Sequence, residues 1–510
     1  MVIFFHGLFL LLPFVTIFAD QFADFGPDGD QLSRFEFGAI LNSSVKNETE
    51  FPTIGLKDLV IIMRSQHNSF HVKKAKAMKE DLVKQAESMG EKDHLELKMM
   101  HEEWAPLGAW TIIPIINSLA EKYGSRKHWI FFCEDETIIN LSGLLRVLSN
   151  HDARKELFLG HALQDQQAAI IHHFAFYEDP SQFSFPDFAA GWALSIPLLN
   201  RRVAIYHNSI YKRKVCFLKK KIKIKLGNDC HLYFHINRLS QRLHDNPPEA
   251  DFSIDVQHEI AMFVRDGGRG TLLTDVPEFC TNQAKDLREC VTSLKSSGPE
   301  CNGLSNENLF LSVPIVQKTV GKYAKHIAYY SETADPSIPT EDIGVPNTER
   351  GHCAKLEAII NRAVTDPRAA DKAWLVVLDD DTIMSVPRLL TLLACYDPNE
   401  VTLLGERYGY GLTQGYGYEY ITGGGSMILS RAGIEALLKS DCSCWQPDSP
   451  DDMWLGSCFR RLGVPLTHSS AFHQAKPNEY APSLLEHQTP VSFHKHTDLD
   501  PLSVYEKYLS

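Results

Sequence analysis

One pattern occurs twice in the 510-residue chain and limits its fold more than any other: a short apolar run that ends in three consecutive carboxylates. Trp374 to Thr382 reads WLVVLDDDT, and Trp129 to Thr137 reads WIFFCEDET. The apolar residues Leu375 to Leu378 suit a strand buried on both faces. At the carboxyl end of a parallel strand, where α/β sheets place their ligands, Asp379, Asp380 and Asp381 repel one another unless a hard divalent cation neutralises them. An isolated acidic triplet is equally well a solvated turn, so the residues that follow must separate the two readings.

The residues that follow repeat as well. After WIFFCEDET come Phe158-Leu159-Gly160, then FAAGWALS from Phe188 to Ser195, and later a helical HEIAMFV from His258. After WLVVLDDDT come Leu403-Leu404-Gly405, ITGGGSMILS from Ile421 to Ser430, and a helical PDDMWLGSCF from Pro450. Glu136 to Gly160 and Asp381 to Gly405 are both 24 positions. An internal duplication of a Rossmann-like α/β domain of the nucleotide-sugar type accounts for this order. The expected domains are 55–275 and 309–510, joined by a Cys-, Gly- and Ser-rich linker over 276–308. The copies differ in two places. Ser195 to Glu259 spans 64 positions and Ser430 to Asp452 spans 22. The excess falls at about 201–236, a stretch with KRK and KKKIKIK that is either a loop for an anionic partner or a disordered or wrongly translated insertion. In the first half, strand Leu59 to Met63 leads into a polar loop, Arg64 to His71, before a helix near Val72. In the second, strand Leu309 to Ser312 runs straight into helix-like Val313 to Gln317, so a nucleotide-facing loop is missing.

A net charge of −13 argues against a nucleic-acid binder. Val2 to Phe18 is almost continuously apolar and ends at Ala19-Asp20, as a signal peptide (1–19) or an N-terminal anchor would; only the anchor implies membrane contact. Sequons at Asn42, Asn47 and Asn140 fit the secretory pathway. Eleven cysteines there predict a disulfide framework with at least one thiol left over, and the linker is expected to be tied down among Cys280, Cys290 and Cys301.

Pro450-Asp451-Asp452 opens a helix whose Trp454, Leu455, Cys458 and Leu462 recur at helical spacing before Gly463 ends it. Acidic residues there commonly cap free amides. If the helix start faces the acidic triplet, one of the two carboxylates can instead accept a proton from a sugar hydroxyl. Gly423, Gly424 and Gly425 let a bulky polar ligand approach the backbone, or form a plain turn. His473 and His494 are each a possible further cation ligand. The run Arg407 to Tyr420, RYGYGLTQGYGYEY, is a loop or an aromatic platform for sugar rings, with Arg407 and Tyr408 at its head.

With WLVVLDDDT, ITGGGSMILS, PDDMWLGSCF, GVPLTHSSAFHQ and VSFHKH in this order, the second half resembles the fringe-like β1,3-glycosyltransferases. GVPNTERGHC, LGERYGYG and HQAKP are similar to the O-fucose β1,3-glucosyltransferase branch, and FFCEDET, PDFAAGWALS and FSIDVQHEI extend the resemblance over most of residues 55 to 505. The resemblance implies two tandem GT-A-type folds, the N-terminal copy non-catalytic. It implies transfer of glucose from UDP-glucose to the 3-hydroxyl of O-linked fucose on thrombospondin type 1 repeats, with inversion, in the lumen of the endoplasmic reticulum. The implied Mn²⁺ is held by Asp381 with Asp379 or Asp380 and a histidine, His494 before His473. Asp452 is the implied base, with Asp451 as fallback, and Lys355 lies near the nucleotide. Another UDP-sugar, galactose or N-acetylglucosamine, and an inactive glycan- or thrombospondin-repeat-binding chaperone stay open. The segment after Ser312, the basic insertion and a C-terminus without a KDEL-like sequence depart from the family.

Overall fold

The computed structural model describes residues 53–510 apart from 105–111, 168–178, 204–252, 266–269, 282–289, 295–300, 302–303, 313–319, 335, 337–338, 349, 411–417 and 497. The leader, the sequons at Asn42 and Asn47, the basic insertion beyond residue 203 and the segment after Ser312 lie outside the described residues.

The apolar runs become strands because each can divide its side chains between two cores. In Leu59–Arg64, Val60 and Ile62 enter one apolar cluster while Leu59, Ile61 and Met63 enter another. Trp374–Val377 does the same: Trp374 and Val376 pack on one face of its sheet, Leu375 and Val377 on the other. Two mixed sheets result. From edge to edge the first runs Leu273–Asp275, Phe158–Gly160, Trp192–Ser195, Trp129–Glu134, Leu59–Arg64, Leu97–Met99. The second runs Thr467–His468, Leu403–Gly405, Met427–Ser430, Trp374–Val377, Leu309–Ser312, Ile327–Ser331 and ends on Thr340–Asp342. Setting that last strand aside, both sheets place their sixth, fourth, fifth, third, first and second strands in the same order. In each, the fifth strand alone runs antiparallel to its neighbours.

The register aligns the two sheets residue by residue. Trp129 pairs with Ser195, and Trp374 pairs with Ser430. Beyond each acidic triplet a short strand pairs antiparallel with a later one, Thr137–Ile139 with Thr292–Leu294 and Thr382–Met384 with Ser492–His494. Thr292–Leu294 therefore belongs to the first sheet's surroundings, although the sequence places it in the linker. The helix expected near Val72 spans Ser69–Ser88 and starts earlier because Asn68 accepts a hydrogen bond from the His71 N–H. Helix Asp451–Arg461 begins after Pro450, and Gly463, at φ +68°, ends it.

The halves are fused. Arg407–Tyr410 pairs on one side with Tyr418–Ile421 and on the other with Ser253–Asp255 of the first half. One apolar cluster contains Val60, Ile62, Phe132 and Trp192 together with Tyr408, Tyr420, Tyr480 and Phe493. Disulfides join Cys280 to Cys290, Cys301 to Cys395, Cys353 to Cys444 and Cys442 to Cys458. Cys301 thus leaves the expected linker trio and pins the linker to the end of helix Val386–Leu393. Cys133 is free and buried. No helix among the described residues is long and apolar enough to cross a membrane.

Candidate active site

Strand Trp374–Val377 delivers Asp379, Asp380 and Asp381 to the carboxyl edge of the second sheet. The pairing of Thr382 with His494 sets that histidine opposite the end of the triplet. The His494 Nε2 lies 2.8 Å from Asp381 Oδ1 and 3.6 Å from Asp379 Oδ2. Its Nδ1 donates to the Gln474 carbonyl at 2.9 Å, which leaves Nε2 as the atom facing the carboxylates. Ligand atoms of Asp379, Asp381 and His494 all lie within 4.8 Å of one another. Two carboxylate oxygens and one imidazole nitrogen fit a divalent cation, with coordination positions left for water or phosphate oxygens.

Electrostatics support the same reading. The Asp379 side chain keeps 41 % of its surface open. Loss of water around its carboxyl, with the charges of Asp451, Asp381 and Asp380, nevertheless pushes it up to about 7 against the opposing charge of His494. Burial also raises Asp381, but the hydrogen bond and charge of His494 outweigh it and leave this carboxyl below its usual range. His494 is raised because Asp381 and Asp379 outweigh the effect of burial. This negative potential is what a bound cation relieves.

The glycine turn explains the tight spacing. A side chain on Gly424 would overlap the His494 ring, and Thr382 Oγ1 donates to the Gly424 carbonyl at 2.9 Å. Gly423 sits between the two carboxylate groups: a Cβ there would be 3.7 Å from Asp379 Oδ2 and 3.9 Å from Asp452 Cβ. The Gly423 N–H donates to Asp452 Oδ2 at 3.3 Å, and Met453 N–H to Asp452 Oδ1 at 2.7 Å. The start of helix Asp451–Arg461 therefore faces the triplet. Burial first, then the charges of Asp451 and Asp379, push Asp452 up to about 8, and Asp451 is raised by burial. A carboxylate with raised proton affinity beside a cation cleft can take a proton from an incoming hydroxyl.

Disulfides hold this helix start. Cys353–Cys444 fastens helix Cys353–Thr365 to the loop before Pro450, and Cys442–Cys458 fastens the same loop to the helix itself. The Cys353 and Ala354 N–H groups donate to the carbonyls of Ser449 and Pro447, each at 3.2 Å.

Not every expected residue joins the cluster. His473 is buried with Nε2 on Gln488 at 2.8 Å and Nδ1 on the Ser492 carbonyl at 3.2 Å, and burial lowers it to about 4. Both ring nitrogens are engaged, and His473 lies outside the group formed by Asp379, Asp381 and His494. Asp380 is exposed and outside the three-residue group. Lys355 donates to Asn347 Oδ1. Arg407 and Tyr408 are buried in the ribbon that joins the halves, with Arg407 paired to Glu419, so they cannot form an open sugar platform. Residues 411–417 of that run lie outside the described residues. Gln474 and Glu406, which order the site from behind, lie within the stretches HQAKP and LGERYGYG, where the sequence marks neither for a role.

Comparison with known proteins adds independent findings. A family profile described as Fringe-like matches residues 113–248 and 311–508. Beta-1,3-glucosyltransferases of Homo sapiens and Mus musculus are each 44% identical to the chain, over 470 and 469 residues. The alignments cover 90% of this chain and 86% and 87% of those proteins. A solved glycosyltransferase involved in the glycosylation of the major capsid of PBCV-1 aligns with 47% of this chain and 94% of its own, at 11% identity. Its TM-score of 0.24 is too low to bear on the fold.

Proposed function

Because the chain belongs to the Fringe-like family of β1,3-glycosyltransferases, we propose that it moves glucose from UDP-glucose to the 3-hydroxyl of O-linked fucose on thrombospondin type 1 repeats. The observation that carries this reading is the convergence of Asp379 and Asp452 on Gly423, which sets a proton acceptor beside a cation cleft.

In this scheme Asp452 takes the proton of the fucose 3-hydroxyl as its oxygen attacks the anomeric carbon of glucose. Attack on the face opposite the departing UDP inverts the configuration. Asp451 keeps the local field negative and helps hold the proton affinity of Asp452 high. Asp379, Asp381 and His494 would hold Mn²⁺, which when bound offsets the charge developing on the UDP phosphates. Gly423 keeps a side chain out of the space between base and cation site, Gly424 leaves room for the His494 ring, and Gly425 for the Thr422 hydroxyl. Lys355, on the helix clamped to the Asp451 loop, remains the proposed donor-side cation. The first half (55–275) acts as a non-catalytic GT-A-like copy, 309–510 as the catalytic one, and 276–308 as the connection. The work takes place in the lumen of the endoplasmic reticulum, where the disulfides are stable.

The test is mass spectrometry of an O-fucosylated thrombospondin repeat incubated with the protein and Mn²⁺, with UDP-glucose, UDP-galactose and UDP-N-acetylglucosamine supplied separately. A hexose added only from UDP-glucose, and lost by about 10²- to 10⁴-fold in Asp452→Asn, is expected. Transfer only from another donor would replace glucose in the proposal. A folded wild type that transfers nothing, or an Asp452→Asn variant as fast as wild type, would overturn it.

A further inference from the structure

Behind the cation site lies a buried carboxylate that no step of the reaction uses. Glu406 is 7% exposed and directly precedes Arg407–Tyr410, the strand anchored to Ser253–Asp255 of the first half. Its own carbonyl accepts from the Thr422 N–H at 2.9 Å, at the head of the glycine turn. Its carboxylate accepts from the Gln474 N–H, and the Tyr480 hydroxyl approaches its other oxygen at 3.5 Å.

Gln474 is thereby fixed at three points, two of which belong to the site. Its side-chain Oε1 accepts from the Gly425 N–H at 2.9 Å, and its carbonyl accepts from His494 Nδ1 at 2.9 Å. The Ser492 hydroxyl, two residues before His494, donates to the Gly425 carbonyl at 2.6 Å and closes the ring of contacts. A buried carboxylate is costly in a core, and burial pushes this one up to about 8 against the opposing contact with Gln474. An apolar residue would fill the same space more cheaply but would leave the Gln474 N–H without its acceptor.

We propose that Glu406 is a positioning residue for the cation site: by accepting from the Gln474 N–H it fixes the Gln474 carbonyl, which sets the tautomer and aim of His494. The proposal rests on the cation site described above. It requires an acceptor at the position of Glu406 Oε2, and no negative charge. Glutamine therefore substitutes for glutamate, with its amide NH₂ facing the Tyr480 oxygen, whereas aspartate keeps the charge but withdraws the acceptor by one methylene.

The test is Mn²⁺ affinity of the purified full chain, read from the electron paramagnetic resonance signal of free Mn²⁺, alongside the thermal midpoint. Glu406→Ala and Glu406→Asp are expected to weaken Mn²⁺ binding about 10- to 100-fold, and Glu406→Gln to bind within about threefold of wild type. Unchanged affinity in the alanine and aspartate variants would overturn the proposal. So would a glutamine variant as weak as alanine, which would make charge and not placement the cause. Failure of both alanine and aspartate variants to fold would assign Glu406 to the fold instead. Absence of Mn²⁺ binding by the wild type would remove the cation site itself, and this inference with it.

Discussion

The two acidic triplets end equivalent strands of equivalent sheets, yet their carboxylates meet different partners. In the first half each carboxylate meets a side-chain nitrogen of the protein. Glu134 accepts from Arg64 at 2.9 Å, Asp135 lies 2.7 Å from His71 Nδ1, and Glu136 pairs with Lys74. The register places Leu294 opposite Thr137, where the second half has His494 opposite Thr382. Counting back from the equivalent Ser195 and Ser430 sets Phe188 at the position of Gly423, and the Arg64 guanidinium lies 4.1 Å over that ring. The helix start changes in the same direction: His258, clasped by Asp165 and Asp255, stands where the second half has Asp451. The first half thus keeps its acidic triplet while meeting each carboxylate with a side-chain nitrogen of its own and setting a ring where the second half has Gly423.

The largest effect is expected from copying the first half into the second at the ligand position. His494→Leu should weaken Mn²⁺ binding by on the order of 100-fold while the fold persists, measured by metal titration and thermal melting. Binding at wild-type strength would mean that the difference at this position is not what separates the halves. Next, Gly424→Ala reproduces Ala189 of the first half and drives a methyl group into the His494 ring. A loss of about 10-fold in Mn²⁺ affinity is expected, larger than for the same change at Gly423, where the would-be Cβ has ordinary contact distances.

The remaining effect is on stability. Although burial opposes its charge, Asp255 and Asp165 raise His258 to about 10, above its ordinary 6.5. A raised folded-state value stabilises the charged form, so this contribution is complete below about pH 6.5 and is lost as pH climbs toward 10. Denaturant midpoints of the wild type should therefore fall more steeply between pH 7 and 9 than those of His258→Gln. Equal slopes would show that His258 carries no charge in the fold.

The strands and their acidic ends were legible because continuous apolar runs and a common 24-residue spacing survive in one dimension. Helix Asp451–Arg461 was legible for the same reason, through its periodic Trp454, Leu455 and Cys458. The resemblance ranks His494 before His473, but the local pattern does not separate them, since both follow a phenylalanine; the pairing of Thr382 with His494 brings only His494 to Asp379 and Asp381. Arg407 and Tyr408 looked like an open platform because the strand that buries them, Ser253–Asp255, lies more than 150 positions away. Cys301 was grouped with Cys280 and Cys290 by nearness, yet its partner Cys395 is 94 positions distant. Arg64, His71 and Lys74 lie at or beyond the end of a different strand from the triplet they meet, so only the parallel pairing of Leu59–Arg64 with Trp129–Glu134 reveals them.

Cys442 and Cys444 stand one residue apart and reach in different directions, to Cys458 and Cys353. Four thiols allow three pairings, and the two wrong ones either join these neighbours directly or exchange their destinations. The observed pairing ties the loop before Pro450 both to helix Cys353–Thr365 and to helix Asp451–Arg461, so the place of Asp452 at Gly423 depends on each of two neighbouring sulfurs reaching its own partner.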